Sequence, residues 1–206
     1  MKKTFTSGFT LVELMVCVAI MMILSSVIIF NHKEFNDNLE ITNLSYQVGL
    51  ALRQAQVYGV STRDFKEGVG TSQANRFNTP YGVHFDMNKP AEYIFFADAD
   101  ANKNGIYNIP PTDTILETVA IGRGNKISKI CKKISTDTTC SLNIADITFT
   151  RPEPEPIFSV GSTIDPNIST VAICLTSPGL RYKKITVYNT GQISITNTTS
   201  ICEVGT

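Results

Sequence analysis

Residues 9–30 read FTLVELMVCVAIMMILSSVIIF, and this run decides the fold of the N-terminal part of the chain. Its only charge is Glu13. At about 1.5 Å rise per residue, a helix over this run extends about 33 Å, which is enough to cross the hydrocarbon core of a bilayer. Because Lys2 and Lys3 precede it, we expect a single-pass protein with its N-terminus in the cytoplasm and its C-terminal domain outside.

The position of Glu13 separates this run from two simpler interpretations. A cleaved secretory signal has an apolar region of about 7–15 residues and a small-x-small cleavage site. The run is longer than that, and no convincing site of that kind follows it. A plain membrane anchor leaves Glu13 unexplained, because a charge inside the membrane is costly and usually functional.

Residues 2–16, KKTFTSGFTLVELMV, resemble the class III leader of type IV prepilins and of type II secretion pseudopilins. The resemblance implies that a prepilin peptidase cuts after Gly8 and that Phe9 becomes the N-methylated first residue of the mature chain. It also implies that Glu13 pairs with the Phe9 amine of a neighbouring subunit, since two opposite charges in a low dielectric are better paired than alone. The implied partners are other pilins or pseudopilins, the prepilin peptidase, the inner-membrane assembly platform and membrane lipid.

The numbers of acidic and basic residues fit an exported protein and do not fit a strongly basic one. The 206 residues contain 18 basic and 18 acidic side chains, and loss of residues 1–8 would leave a net charge of about −2 because it removes Lys2 and Lys3. A strongly basic nucleic-acid-binding protein would not have this composition. Local basic patches stay compatible with it.

The five cysteines divide between the apolar run and the exported part. Cys17 lies in the run and is expected to be a small buried residue. Cys131, Cys140, Cys174 and Cys202 predict two disulfides, with three connectivities open, in an oxidising compartment. The preferred pairs are Cys131 with Cys140 and Cys174 with Cys202. A zinc site is disfavoured, because the chain has no C-x-x-C pair and only two histidines.

Beyond the apolar run the pattern becomes that of an amphipathic helix followed by short strands. The helix is expected to continue from the membrane to about Arg63, roughly 80 Å from Phe9, with one stripe facing the core. The stripe consists of Ile41, Leu44, Val48, Ala51, Leu52, Ala55 and Tyr58. We therefore divide the chain into a leader (1–8), a transmembrane assembly helix (9–30), an amphipathic helix half (31–66) and an exported β-rich domain (67–206).

Several short alternating segments after Gly70 predict strands. They are residues 82–85, 93–96, 115–121, 126–130, 144–150, 170–175 and 184–188, with a final hairpin that turns at 189–191. The proline-rich segment 151–156 predicts an edge or connector. The expected fold class is α+β, a type IV pilin-like long helix packed on a mostly antiparallel sheet or on two small sheets.

Three further segments resemble the GspH/FimT group of minor pseudopilins and pilins. They are LALRQAQVYGVSTR (50–63), PYGVHF (80–85) and FFADADANKNGIYN (95–108). The resemblance implies a low-abundance initiator or adaptor at or near the tip of a type IV pilus or type II secretion pseudopilus. Four cysteines in the exported domain are more than that group leads us to expect.

The acidic turn in the last of these segments has two interpretations. Residues 100–105, DANKNG, follow the opening of a calcium loop, in which a glycine permits the sharp turn. Pro111 stands where such a loop has its bidentate carboxylate, and an aspartate follows two residues later. The other interpretation is a turn whose side chains cap their own backbone. The candidate calcium ligands are Asp98, Asp100, Asn102, Asn104 and Asp113.

Basic residues near the C-terminus also have two interpretations. Arg181, Lys183 and Lys184 lie beside Tyr182 at the start of the last hairpin. They partly resemble the C-terminal basic motif by which some FimT-like minor pilins are thought to bind DNA in natural transformation. Basic residues next to an aromatic suit phosphate contact and stacking, but they also suit an exposed, solvated strand. A second cluster consists of Lys126, Lys129, Lys132 and Lys133.

Nothing in the sequence predicts catalysis. His32 follows the apolar run and His84 lies in an expected strand, so no nucleophile has an evident base. No Gly-rich phosphate loop is present. We expect a non-enzyme with no small-molecule substrate and no cofactor other than the candidate calcium. Two functions remain: a subunit that assembles into a filament, and a binding module for DNA or an exported substrate on the same scaffold.

Overall fold

The computed structural model describes residues 8–61, 77–100, 102–110 and 112–198, with the backbone alone for residues 28–35. Helix α1 (Leu11–Val60) begins after Thr10, which has an extended backbone and accepts a hydrogen bond from the Glu13 N–H. At 1.5 Å per residue its 50 residues extend about 75 Å. The helix ends at Val60, where Ser61 turns to an extended conformation, a few residues before the end that we expected at about Arg63.

The two halves of α1 have different surroundings. In the C-terminal half, Ile41, Leu44, Val48, Leu52 and Ala55 are buried, and they form one core with the strands. Ala51 and Tyr58 pack against that core, so the predicted stripe is confirmed. In the N-terminal half, the described side chains from Phe9 to Val27 are exposed.

No helix among the described residues is long and apolar enough to cross a membrane. The membrane span expected over residues 9–30 is therefore not found there, and it stays a prediction from the sequence.

The strands form two sheets in which every paired strand is antiparallel. The first sheet has the order β3-β2-β1-β6-β7-β8, and the second has the order β11-β10-β9-β4-β5. The strands are β1 (Tyr81–Asp86), β2 (Glu92–Ala97), β3 (Thr114–Ala120), β4 (Lys126–Ile134), β5 (Asp137–Thr139), β6 (Ile144–Phe149), β7 (Pro156–Val160), β8 (Thr163–Ile164), β9 (Ile168–Thr176), β10 (Tyr182–Tyr188) and β11 (Ile193–Thr198). The α+β prediction of a long helix on an antiparallel sheet domain is confirmed.

The core lies where α1 meets the central strands of both sheets. Contacts of α1 reach β1 and β6 of the first sheet and β9, β10 and β11 of the second. Successive side chains of a strand point to opposite faces of the sheet. Strands β2, β6 and β9 are buried along nearly their whole length, so both faces of the sheets are covered at these strands. The largest fully buried side chains include Tyr81, Phe85, Phe96 and Phe149.

The disulfides lie on the outer side of the second sheet. Cys131 on β4 is bonded to Cys140, and both pack against Ala172 and Cys174 in a second, smaller buried cluster. Cys174 is also disulfide-bonded. Its expected partner, Cys202, lies outside the described residues. Cys17 is a free cysteine and is exposed, whereas the sequence led us to expect a buried residue.

Candidate functional sites

The start of α1 combines a helix cap with an exposed carboxylate. Thr10 Oγ1 accepts a hydrogen bond of 3.2 Å from the Glu13 N–H, so Thr10 is the N-cap and Glu13 the third helical residue. A Thr followed three residues later by Glu is the capping-box pattern, and an acidic side chain there also favours the helix dipole. Glu13 therefore has a local structural role, which our sequence analysis missed, beside the assembly role that the resemblance implies.

The side chains that follow Glu13 form an exposed apolar rod. An apolar surface of this extent on a soluble chain usually marks an interaction site. Gly8 and Phe9, the expected cleavage site, are exposed too, and no atom outside the adjoining residues lies within 4 Å of a side chain built on Gly8. The rod consists of the helix side chains from Leu14 to Val27, all of which are exposed.

The loop between β2 and β3 holds an acidic cluster. One carboxylate oxygen from each of Asp98, Asp100 and Asp113 lies within 4.8 Å of the others. Asp98 and Asp113 are buried at the two ends of the loop, and Asp100 is half-buried. The structure thus brings together three of the five residues that we expected near calcium.

The two asparagines of that prediction do not take part in the same way. Asn102 is exposed, and its N–H donates to Asp100 Oδ1. Asn104 Oδ1 accepts a hydrogen bond of 2.9 Å from the Ile106 N–H, two residues along. Both are Asx-type turns, so the local part of the loop follows the alternative interpretation from the sequence.

Burial disfavours the charged form of two of the three carboxyl groups and so raises their pKa values. Asp98 has its pKa raised to about 7, chiefly by burial, while the hydrogen bond from the Gly105 N–H opposes the shift. Burial likewise raises the pKa of Asp113 to about 6. Asp98 and Asp113 also repel each other's charge. The cluster therefore favours a proton or a metal ion over bare negative charge.

The acidic loop folds over the outer face of the first sheet. Gly105, with a positive φ of 70°, accepts a hydrogen bond of 2.9 Å from Thr148 Oγ1 at its carbonyl. A side chain built on Gly105 would lie 3.0 Å from Ile157 on β7. Tyr107 contacts His84 and Phe96, with ring centroids 4.5 Å and 5.2 Å apart.

A cavity of about 470 Å³ lies beside Tyr107. His84 Nδ1 lies 2.6 Å from Asp146 Oδ1 at its wall, and Asp146 is almost fully buried. Sequence reasoning missed Asp146 and Tyr107 as neighbours of His84. Only the register of β1 with β6 places residues 84 and 146 opposite each other, and no local pattern announces that pairing.

The strand register brings the two basic clusters onto one sheet face. Lys129 on β4 and Lys184 on β10 both lie opposite Cys174 of β9, from its two sides. Directly opposed residues project from the same face of an antiparallel sheet. Lys126 and Lys133 lie opposite other even-numbered residues of β9 and share that face.

The remaining basic residues diverge from this face. Lys183 alternates with Lys184, and its Nζ donates to Asn197 Oδ1 at 2.5 Å. Lys132 lies opposite Val171, and its Nζ lies 3.7 Å from Asp165 Oδ2. Arg181 is exposed just before β10. The predicted triplet of Arg181, Lys183 and Lys184 is thus divided between two faces.

A family model for the prokaryotic N-terminal methylation motif matches residues 5–29. No curated protein and no solved structure matches the chain. The motif and the long helix on an antiparallel sheet domain support a protein of the type IV pilin-like class, a pilin or pseudopilin. Such a motif implies processing by a peptidase and assembly with other pilins.

Proposed function

We propose that this protein is a minor pilin or pseudopilin, a structural subunit at or near the tip of a type IV pilus or type II secretion pseudopilus. The observation that carries the proposal is the match of the methylation motif to the helix half that the protein's own domain leaves uncovered. An exposed rod of apolar side chains needs either lipid or the helices of other subunits around it. The three GspH/FimT-like segments support the minor, tip-located role.

We propose that maturation begins at the Gly8–Phe9 bond. Both residues lie before the first turn of α1 and are exposed, so an enzyme reaches the bond without unfolding the helix. In this proposal residues 9–30 occupy the inner membrane until the subunit leaves it through the assembly platform. Phe9 then carries the N-methylated amine that Glu13 of a neighbouring subunit pairs with.

The charge of Glu13 is the feature to test, because its capping role must be kept apart from its assembly role. Glu13→Gln keeps a capping-box residue at the third helical position but removes the charge. We expect this variant to be processed like the unaltered protein but to be recovered at least tenfold less in sheared filaments. Thr10→Ala is the matched control, since it removes the cap and keeps the charge.

The outcomes separate the two roles. Loss of incorporation in Glu13→Gln with near-normal incorporation in Thr10→Ala supports charge pairing between subunits. Normal recovery of Glu13→Gln in filaments would overturn the assembly role of Glu13. A companion variant, Gly8→Leu, is expected to retain its leader, and a mature-size band would contradict the cleavage site.

We propose that the protein has no catalytic activity, and the spacing of one serine from His84 on the outer face of the first sheet supports this. His84, Asp146 and Ser159 stand in register on β1, β6 and β7. Asp146 lies in the middle, so Ser159 is two strands from His84, about 10 Å away at the usual strand spacing. A serine nucleophile needs its histidine base within hydrogen-bond reach.

A second candidate function is DNA binding during uptake, and the shared face of the lysines favours it. Lys126, Lys129, Lys133 and Lys184 project from one side of the second sheet, which suits contact with a phosphate backbone. The test is fluorescence anisotropy of the full chain in detergent with labelled duplex DNA at several salt concentrations. DNA binding predicts an affinity that falls as salt rises.

The variants make that test specific. Lys129→Ala with Lys184→Ala removes two charges of the shared face and is expected to lower both the affinity and its salt dependence. Lys89→Ala is the control, because Lys89 lies on the first sheet side and pairs with Glu92 at 3.1 Å. No binding at low salt, or equal losses in both variants, would remove the DNA-binding candidate.

A further inference from the structure

We propose that Asp98, Asp100 and Asp113 bind a Ca²⁺ ion that fastens the β2–β3 loop across the first sheet. The inference concerns the exported domain by itself. It does not depend on the filament role, and neither outcome of its test bears on that role.

The first observation is the convergence of three carboxylates from distant points of one loop. Their oxygens lie within 4.8 Å of one another. Two oxygens that share a calcium ion at 2.3–2.6 Å can be at most about 5 Å apart, so the spacing fits a common ion. All the candidate side-chain ligands are oxygens, the donor type that a hard cation such as calcium prefers.

The second observation is independent of the clustering and concerns the unused oxygens. Asp98 is 0% exposed and Asp113 is 2% exposed. Asp98 Oδ2 accepts from the Gly105 N–H and Asp113 Oδ2 accepts from the Asn108 N–H, each at 2.6 Å. The other oxygen of each, Oδ1, is buried and has no partner at hydrogen-bond geometry among the described residues. The backbone N–H groups of Ala99 and Asp100 lie near the Asp113 carboxyl group and lower its pKa, but less than burial raises it.

A buried carboxylate oxygen without a partner costs free energy, and the cost grows when a second carboxylate lies beside it. Two such oxygens in one cluster of three acids therefore call for positive charge. Lys103 is the basic residue of the loop, and its Nζ donates to the Asn78 carbonyl. Its single charge does not balance three carboxylates, whereas a divalent ion with Lys103 would.

The ligand set differs from that of a linear calcium loop. In a linear loop the ligands follow one another at alternate positions and end with a carboxylate at position 12. Here Asn104 uses its oxygen on its own backbone, and the two flanking aspartates close the site from the ends of β2 and β3. Backbone carbonyls and water would complete the six to eight oxygens that calcium requires.

Binding at this position would hold the loop where it covers the sheet. Asp98 and Asp113 fix the two ends of the loop through Gly105 and Asn108, while the Tyr107 ring contacts the ring of His84. An ion joining the two ends would keep the loop closed over the cavity beside Tyr107. The expected readout is thus thermal stability of the domain as well as binding.

The test is a titration of the full-length protein, purified in detergent and freed of metal with a chelator, with calcium chloride. Calorimetry should give one site, and saturating calcium should raise Tm by about 5–10 °C at a concentration near 100 times Kd. Magnesium at the same concentration should raise Tm less, because its octahedral shell demands shorter, stricter geometry.

Two variants locate the effect. Asp98→Asn keeps an acceptor for the Gly105 N–H but removes the charge, so we expect it to lose the calcium-dependent Tm rise and to match or exceed the unaltered protein in metal-free stability. Asp86→Asn is the control, because Asp86 forms a similar Asx turn with Asn88 away from the cluster. It should keep the full calcium response.

Two results would contradict the binding of calcium at this cluster. No heat and no Tm change with millimolar calcium would overturn the proposal and leave the cluster neutralised by protons. A calcium response that persists unchanged in both Asp98→Asn and Asp113→Asn would also overturn it, because the ion would then bind elsewhere. If Asp98→Asn does not fold, Asp113→Asn and the titration of the unaltered protein still decide the question.

Discussion

Gln56 joins three separate parts of the chain through one side chain. Its Nε2 donates to the carbonyls of Pro154 at 2.9 Å and Gly191 at 3.0 Å, and its Oε1 accepts from Arg53 Nη1. The residue is only 6% exposed. These bonds fasten α1 both to the connector before β7 and to the turn between β10 and β11.

Replacing Gln56 with leucine should destabilise the domain by about 2–3 kcal/mol, because two carbonyls lose their donor in a buried place. The measurement is the free energy of unfolding from urea titration of the full chain in detergent. Gln54→Leu is the control, since Gln54 donates to Tyr58 on the same helix, makes no other side-chain hydrogen bond among the described residues and is half-exposed. It should change stability by less than about 0.5 kcal/mol. Equal effects in the two variants would contradict the role given to Gln56.

The apolar stripe of α1 was predictable from the sequence, whereas the contacts of Gln56 were not. The stripe on α1 was predictable because its apolar side chains recur at three- and four-residue steps. Gln56 lies on the same stripe, four residues after Leu52, but a polar residue does not register in an apolar pattern. Its two acceptors are 98 and 135 residues away along the chain, and only the tertiary fold brings them near.

Among the structural elements, the loop between β2 and β3 was predicted only in part. The sequence predicted its candidate ligand residues but not that the two ends of the loop meet. The spacing of Asp100, Asn102 and Asn104 is local, and it gave turns whose side chains bond neighbouring backbone. Asp113 joins Asp98 because the antiparallel pairing of β2 with β3 brings the two strand ends together. Local spacing does not reveal that pairing. Judged as part of a linear calcium loop, Asp113 therefore stood two residues after the position of the expected carboxylate ligand.

The strands, too, were predicted where their own sequence carries a clear pattern and missed where it does not. The strands with several alternating apolar residues were predicted to within a few residues, and the final hairpin was predicted with its turn. The short strands β5, β7 and β8 were missed. Strand β5 is exposed and polar, β8 has two residues, and β7 begins at a proline that suggested a connector. Short strands form because a neighbour pairs with them, and their own sequence carries little signal.

The packing of α1 on the two sheets leads to a prediction about two glycines of the helix, Gly59 beside β6 and Gly49 beside β11. A side chain built on Gly59 would lie 2.3 Å from the Phe149 carbonyl oxygen, which belongs to backbone that cannot move aside. One built on Gly49 would lie 2.9 Å from Ile195 Cδ1, the end of a flexible side chain. Glycine to alanine inside a helix otherwise gains about 1 kcal/mol.

We therefore expect glycine-to-alanine substitution to change the stability by different amounts at the two positions. Gly59→Ala should lower the stability by at least about 2 kcal/mol, because the helix must move away from β6. Gly49→Ala should lie within about 1 kcal/mol of the unaltered protein, since the gain in helix propensity offsets a small shift of Ile195. Urea unfolding monitored by circular dichroism measures both. A neutral Gly59→Ala would mean that the helix does not approach β6 this closely.

At the scale of the whole molecule, the chain is an exposed apolar rod joined to a domain that has its own core. Among the helix side chains that the structure describes (residues 11–27 and 36–60), the buried ones that form this core begin at Ile41. Asp37 and Glu40 come just before it and contact the domain, Asp37 beside Gly179 and Glu40 through an ion pair with Arg123. The change from rod to domain thus falls between Val27 and Asp37, within the helix and not at its end.

This division predicts how truncation affects stability. A chain of residues 36–206 should unfold within about 2 °C of the full chain in detergent, because it keeps every described core contact. A chain of residues 47–206 should lose most of its stability, because it lacks Ile41 and Leu44, and each large buried aliphatic side chain removed costs about 2–5 kcal/mol. That loss is comparable with the whole stability of an ordinary domain, about 5–15 kcal/mol.

Thermal unfolding followed by near-ultraviolet circular dichroism distinguishes the two truncated chains. Aromatic residues such as Tyr81 and Phe95 pack in the core beside Tyr58, so the signal reports the core and is insensitive to the rod. A chain of residues 36–206 that fails to fold would mean that the N-terminal half of α1 supports the domain as well as carrying the assembly surface. Retained folding would instead assign that half to contacts with other molecules, which is the arrangement a filament subunit requires.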